Sequence, residues 1–186
     1  MRQEDGKRSN YEGTETHLTR RLKPEFKDYR NVIRNFIMRV SATPDRVFPL
    51  LCPVREYEWI ETWQCELIRS KSGFGELDCV FKTRHGDVED VWVISKYQPN
   101  EFIEFVVSSR FRVMRYRFKL SLEGRSGTKI EIEQIATAVS KEGEDHVDDP
   151  HFEMHMKALE VMLNYYLTTG KMMKDEEAVH LAQQTP

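Results

Sequence analysis

Hydrophobic and polar positions alternate along most of the central chain. Phe36, Met38, Val40 and Ala42 take one side of an alternation with Ile37, Arg39 and Ser41, which predicts a strand. Trp63, Cys65 and Leu67, then Leu77, Cys79 and Phe81, repeat that spacing on either side of a Lys-Ser-Gly-Phe-Gly stretch at 71 to 75, a hairpin turn by composition. Val88 to Tyr97 and Glu101 to Ser108 form a further pair, split where Pro99 can continue neither strand. The clearest alternation sets Met114, Tyr116, Phe118, Leu120 and Leu122 against Arg115, Arg117, Lys119 and Ser121, one face apolar and the other wet. A Gly-Arg-Ser-Gly turn at 124 to 127 leads into Lys129 to Ala138, where Ile130 and Ile132 share a face with Gln134. About seven antiparallel strands result.

Two segments break this rhythm. After the first strand, Thr43, Pro44 and Asp45 are an N-cap, a first helical residue and an acidic first turn, so a short helix begins there. Pro49 and Pro53 limit it, and any successor through Tyr57 and Trp59, to one or two turns. From His151 to about Met173, Phe152, His155, Met156, Leu159, Met162, Leu163 and Tyr166 recur at spacings of three and four, which predicts one long amphipathic helix. The plan is α+β: a sheet with one apolar face and a single helix long enough to cover it.

Composition changes the picture at the ends. The chain has 186 residues and is 39% hydrophobic, with a mean hydropathy of -0.63. Residues 1 to 33 read as a polar, mildly basic arm and 174 to 186 as a polar tail, leaving one domain over 34 to 173. Lys and Arg number 28 against 31 Asp and Glu, so no overall positive field draws the chain to nucleic acid or an anionic membrane. No apolar run reaches membrane-spanning length and the opening residues carry no hydrophobic leader, so integral membrane association is not expected. Cysteines at 52, 65 and 79 have no CxxC spacing and suit a reduced cytoplasm.

Ala42 closing the first strand, Pro44 and Asp45 opening a helix, and Phe48 on its inner face make this order of elements resemble the START-like helix-grip (SRPBCC) superfamily. That superfamily includes START lipid-binding domains, plant pathogenesis-related allergens and polyketide cyclase/dehydrase-like proteins. The run Cys-Pro-Val-Arg-Glu-Tyr-Glu-Trp at 52 to 59 looks like the second short helix of the cyclase-like branch. The resemblance covers about 34 to 173 and implies a helix-grip fold: a curved antiparallel sheet whose concave face is covered by the C-terminal helix, with a cavity between them. It carries no activity with it.

On that fold, alternation turns Trp63, Cys65, Phe81, Trp92, Phe105, Tyr116, Phe118 and Gln134 toward Met156, Leu159 and Tyr166, with Tyr57 and Trp59 at a mouth. Such walls suit a flat or flexible hydrophobic guest, while the same residues also suit a filled core. Gln134 needs a partner, whether ligand, side chain or water. Arg112 shares parity with Met114 and either reaches inward, where it would hold a ligand carboxylate, or faces solvent. His155, beside the core stripe, is either a structural histidine or a group at the pocket. Asp90 and Glu104 are the carboxylates best placed for acid or base work, their facing left open by Val91 and Val93 competing with Trp92 and Ile94. His146, Asp148, Asp149, His151 and His155 have metal-ligand types, but Phe152 stands where a zinc-helix motif has Glu, and no metal is expected. No cofactor motif is present, since Gly73 and Gly75 lack the third glycine of a dinucleotide fingerprint. The expectation is binding of a small lipid-like or polyketide-like molecule. The alternatives are an enzyme of the cyclase/dehydrase or hydrolase type acting in the same cavity, with Tyr57, His155 or Asp90 moving protons, and an interaction domain using the basic arm.

Overall fold

The computed structural model describes residues 25 to 184. Most of the expected arm therefore lies outside the described residues. Strand β1 (Asn31–Val40) starts inside the stretch assigned to that arm, because Val32 and Arg34 already sit on the inward parity of Phe36 and Met38. Helix α1 (Pro44–Val47) follows, with Thr43 in extended conformation before Pro44, and passes into a 3-10 turn over Phe48–Leu51 and another over Glu56–Glu58. Then come β2 (Cys65–Arg69), β3 (Val80–His85), β4 (Val88–Gln98), β5 (Phe102–Ser108), β6 (Arg112–Glu123) and β7 (Gly127–Ala138). A 3-10 turn over Glu142–His146 precedes α2 (Phe152–Thr169), which ends on Gly170 in the left-handed conformation. Helix α3 (Asp175–Gln184) completes the described chain.

The seven strands form one antiparallel sheet in the order β1-β7-β6-β5-β4-β3-β2, so sequence neighbours pair except where β7 returns to β1. The expected α+β architecture is present, with α2 packed on the sheet's apolar face. Register confirms the parity on β6: Tyr116 lies opposite Phe105 and Gln134, and Phe118 opposite Ile103 and Ile132. Arg115, Arg117 and Lys119 take the other face, where Arg117 bridges Glu104 and Glu133 at 2.8 and 2.7 Å. Leu77 departs from the reading: Asp78 turns the chain through a positive φ of 64°, β3 begins only at Val80, and Leu77 is exposed.

The second departure is α3, where the composition predicted a fraying tail. Its buried residues, Ala178 and Ala182, are four apart and small, so they do little to raise the average hydropathy of a polar stretch, yet small side chains let two helices approach closely. Thr62 donates to Asp175 at 2.6 Å and Lys174 pairs with Glu61, so α3 also grips the 61 to 62 loop.

Candidate functional site

Between the sheet and α2 lies a cavity of about 490 Å³, open at one side. Its sheet wall is aromatic. Phe81 and Trp92 are cross-strand partners and stack at 5.5 Å; Trp92 stacks in turn on Tyr116 at 5.7 Å, and Phe105 meets Trp92 edge-on at 6.0 Å. Phe118 extends the wall past Phe105 and Tyr116. Offset and edge-to-face contacts of this kind hold rings in fixed orientations, so the wall is preformed. The polar edges of the tryptophans are satisfied away from the guest space: Trp92 donates to Thr83 at 2.9 Å, Trp59 to the Leu50 carbonyl at 3.0 Å and Trp63 to the Pro53 carbonyl at 2.7 Å. Met156 and Leu159 of α2 close the opposite side.

Eleven of the residues expected at the site line this one cavity: Trp59, Trp63, Phe81, Trp92, Phe105, Arg112, Tyr116, Phe118, His155, Met156 and Leu159. Three do not. Tyr57 is exposed, its hydroxyl donating to the Cys65 carbonyl and accepting from the Cys65 N–H. Tyr166 donates to Glu58 at 2.5 Å, outside the cavity wall. Gln134 is buried behind Tyr116 and bonds to its hydroxyl.

The polar part of the wall gathers at one end. Trp92 and Ile94 point inward, so Asp90, two residues before Trp92, does also, and it is buried; Glu104 faces the other side of the sheet. Arg112 reaches inward and meets Asp90 at 3.4 Å while donating to the His146 carbonyl at 2.7 Å. One carboxylate oxygen of Asp90 and Nε of Arg112 have no hydrogen-bond partner. Arg34 donates to Gln134 Oε1 and to the Val147 carbonyl, both at 2.7 Å. A guanidinium only donates, so Gln134 must turn its amide NH₂ to Tyr116, whose oxygen accepts. That leaves the Tyr116 proton free to be donated. Desolvation raises the Tyr116 pKa, keeping the proton in place at neutral pH.

Sequence reasoning passed over Glu56. The chain here is a 3-10 turn with three residues per turn, so positions three apart share a face. Pro53, Glu56 and Trp59 accordingly line the cavity together, while Tyr57 and Glu58 point elsewhere. The turn is too short to show that period in the sequence, which is why alternation points to Tyr57 rather than Glu56 here. Burial pushes the Glu56 carboxyl up to about 8. Arg84 and His85, at the end of β3, also reach the wall unannounced by alternation, because the strand ends there.

The metal-type residues do not assemble. Among the described residues no group of three such side chains is placed to hold an ion. The His146 ring stacks on Phe111 with centroids 3.7 Å apart, and Asp148 pairs with Arg30 at 2.7 Å. His155 stands at the cavity, where desolvation lowers its pKa.

No protein-family model matches the chain, nor does any curated protein sequence. Solved structures do match. Norcoclaurine synthase from Thalictrum flavum superposes with a TM-score of 0.58 at 10% identity, over 78% of this chain and 98% of that one. CalU16 from Micromonospora echinospora gives 0.53 at 15% identity over 85% and 93%. DynU16, a protein of the dynemicin biosynthetic locus, gives 0.50 at 16% identity over 75% of this chain, which spans 48% of it. Identities this low speak for the fold alone. Sheet order, covering helix and these likenesses agree that the chain has a helix-grip fold.

Proposed function

We propose that the protein binds a small hydrophobic or aromatic molecule, lipid-like or polyketide-like, in the cavity between its sheet and α2. The observation that carries this reading is the preformed aromatic wall of Phe81, Trp92, Tyr116 and Phe105 facing about 490 Å³ of space. Packed cores leave few voids larger than a water molecule, and a volume of this size belongs with ligand sites. Native mass spectrometry of the purified protein should show a co-purifying small molecule, released on unfolding. Failing that, flat apolar probes should saturate one site while changing the emission of Trp59, Trp63 and Trp92. Probes that never saturate would end this reading.

An enzyme of the cyclase, dehydrase or hydrolase type is the second reading. It is favoured by Glu56 and His155, two titratable groups with displaced pKa values on one cavity wall, which is what acid and base chemistry requires, and Asp90 lines the same cavity. Among the described residues no helix is long and apolar enough to cross a membrane. The free thiols of Cys52, Cys65 and Cys79 support a place in the reduced cytoplasm.

A further inference from the structure

We propose that Glu56 presents an un-ionised carboxyl to the cavity and donates a hydrogen bond to an acceptor oxygen, a carbonyl above all, of an uncharged guest. The inference rests on the ligand-binding reading and names the chemical class that the cavity selects. The geometry begins with the 3-10 turn, whose backbone is held by Glu58 N–H to the Arg55 carbonyl at 3.0 Å and Trp59 N–H to the Glu56 carbonyl at 3.2 Å, and anchored at either side by Glu56 N–H to the Cys52 carbonyl at 3.0 Å and Ile60 N–H to the Glu56 carbonyl at 2.9 Å. This fixes the side chain on the face that also carries Pro53 and Trp59, both cavity residues. Glu56 is half-buried on the cavity wall.

Among the described residues no hydrogen bond or ion pair holds the Glu56 carboxyl. Its neighbours on the turn, Arg55 and Glu58, pair with each other at 2.7 Å and with Tyr166 instead. Of the charged groups on the other walls, Asp90 and Arg112 of β4 and β6 are engaged with each other. Arg84 and His85 of β3, Cys65 of β2, Asp149 before α2, and Tyr116 and His155 leave Glu56 equally unpaired, and burial alone accounts for its raised pKa. An unpaired carboxyl on this largely aromatic wall keeps its proton at neutral pH, because burial leaves the charged form poorly solvated. A neutral carboxylic acid donates where a carboxylate only accepts. The cavity therefore favours a guest that brings an oxygen acceptor to Glu56.

The test uses three naphthalenes of similar shape: acetylnaphthalene, with an acceptor carbonyl; ethylnaphthalene, with none; and naphthylethylamine, a cation. At about pH 6 the wild-type protein should bind the acetyl probe about three- to tenfold more tightly than the ethyl probe, the range one net hydrogen bond supplies. That preference should disappear by about pH 9.5, where Glu56 is ionised. Glu56→Gln keeps a donor and loses the titration, so its preference should persist at both pH values; Glu56→Leu should show none at either. Independently of any ligand, the infrared carbonyl band of a buried carboxylic acid should be present at neutral pH and absent from Glu56→Gln. An amine probe that binds best, with affinity rising through pH 8, would make Glu56 a cation-binding carboxylate and overturn the proposal. So would a missing infrared band, or equal, pH-independent binding of the acetyl and ethyl probes. Saturable binding in that last case would leave the cavity reading standing, whereas no binding of any probe would remove both.

Discussion

A carboxyl that holds its proton more tightly in the folded chain than in the unfolded one draws its stability from acid conditions. Glu56 is in that position, with an ordinary value of 4.5 raised to about 8 by burial. Below the lower value both states are protonated; between the two, the unfolded chain releases a proton that the folded chain keeps, so stability falls as pH rises through this window. Glu56→Gln removes the titration. Its melting temperature should match that of wild type near the acid end of the window and exceed it by more than about 2 °C near pH 8, in thermal melts followed by circular dichroism. A constant gap between the two proteins would mean that Glu56 is solvated. The Arg34, Gln134 and Tyr116 chain makes a separate claim at this scale. Gln134→Leu removes an acceptor of a half-buried guanidinium and should cost about 1–3 kcal/mol by denaturant midpoint, whereas Gln134→Glu, which accepts from both neighbours, should cost less. Alternation placed Gln134 on the covered face. It was silent on Arg34, because that partner stands a hundred residues earlier on β1, and only the β1 to β7 register brings the two opposite each other.

Among the elements, the long strands and α2 were legible because each repeats its period over many residues, and period two or 3.6 leaves a regular record of apolar positions. The short ones were not. A three-residue turn around Glu56 has no room to display its own period, which is why Tyr57 looked like an inward residue. The alanine face of α3 looks like a polar tail by average hydropathy, because acidic and polar residues fill the rest of the helix. Its packing is nevertheless specific: Ala178 is fully buried, so Ala178→Leu should overpack the contact and cost about 1–3 kcal/mol. Through the Thr62 to Asp175 and Glu61 to Lys174 contacts it should also speed amide exchange at residues 60 to 63, while β7 stays protected. The 3-10 turn at 142 to 146 depends on close approach in the same way. A Cβ on Gly143 would fall 2.1 Å from the Phe111 carbonyl oxygen, so Gly143→Ala must displace the turn whose carbonyls at 146 and 147 receive Arg112 and Arg34. The variant should lose about 2 kcal/mol or more, and the two guanidiniums should show it as lost hydrogen-bond shifts in NMR.

For the whole molecule, the amount of empty volume decides what the interior is for. Alternation said which residues face the concave side but not how far the sheet curls, since curvature comes from twist and from bulges such as those at Leu67/Arg69 and Ile94/Lys96, which leave no apolar signature. A dry void of about 490 Å³ would cost on the order of 10 kcal/mol at about 24 cal/mol per Å³, as much as the net stability of an entire domain. A fold that kept such a void empty would not persist. The cavity is instead open at one side and carries Asp90, Arg112 and Glu56, groups that make water tolerable until a guest displaces it from the aromatic wall. Exchange of that water for apolar surface is where affinity comes from, and it links binding to stability. At a guest concentration of about one hundred times Kd the folded state gains about 2.7 kcal/mol, which for a chain of this size is a rise of roughly 5–10 °C in melting temperature. Leu159→Trp, which fills the cavity from α2, should fold, take up no probe and show no such rise. If the wild-type protein and this variant respond alike to acetylnaphthalene, the guest sits elsewhere, and the space between sheet and helix is a feature of packing only.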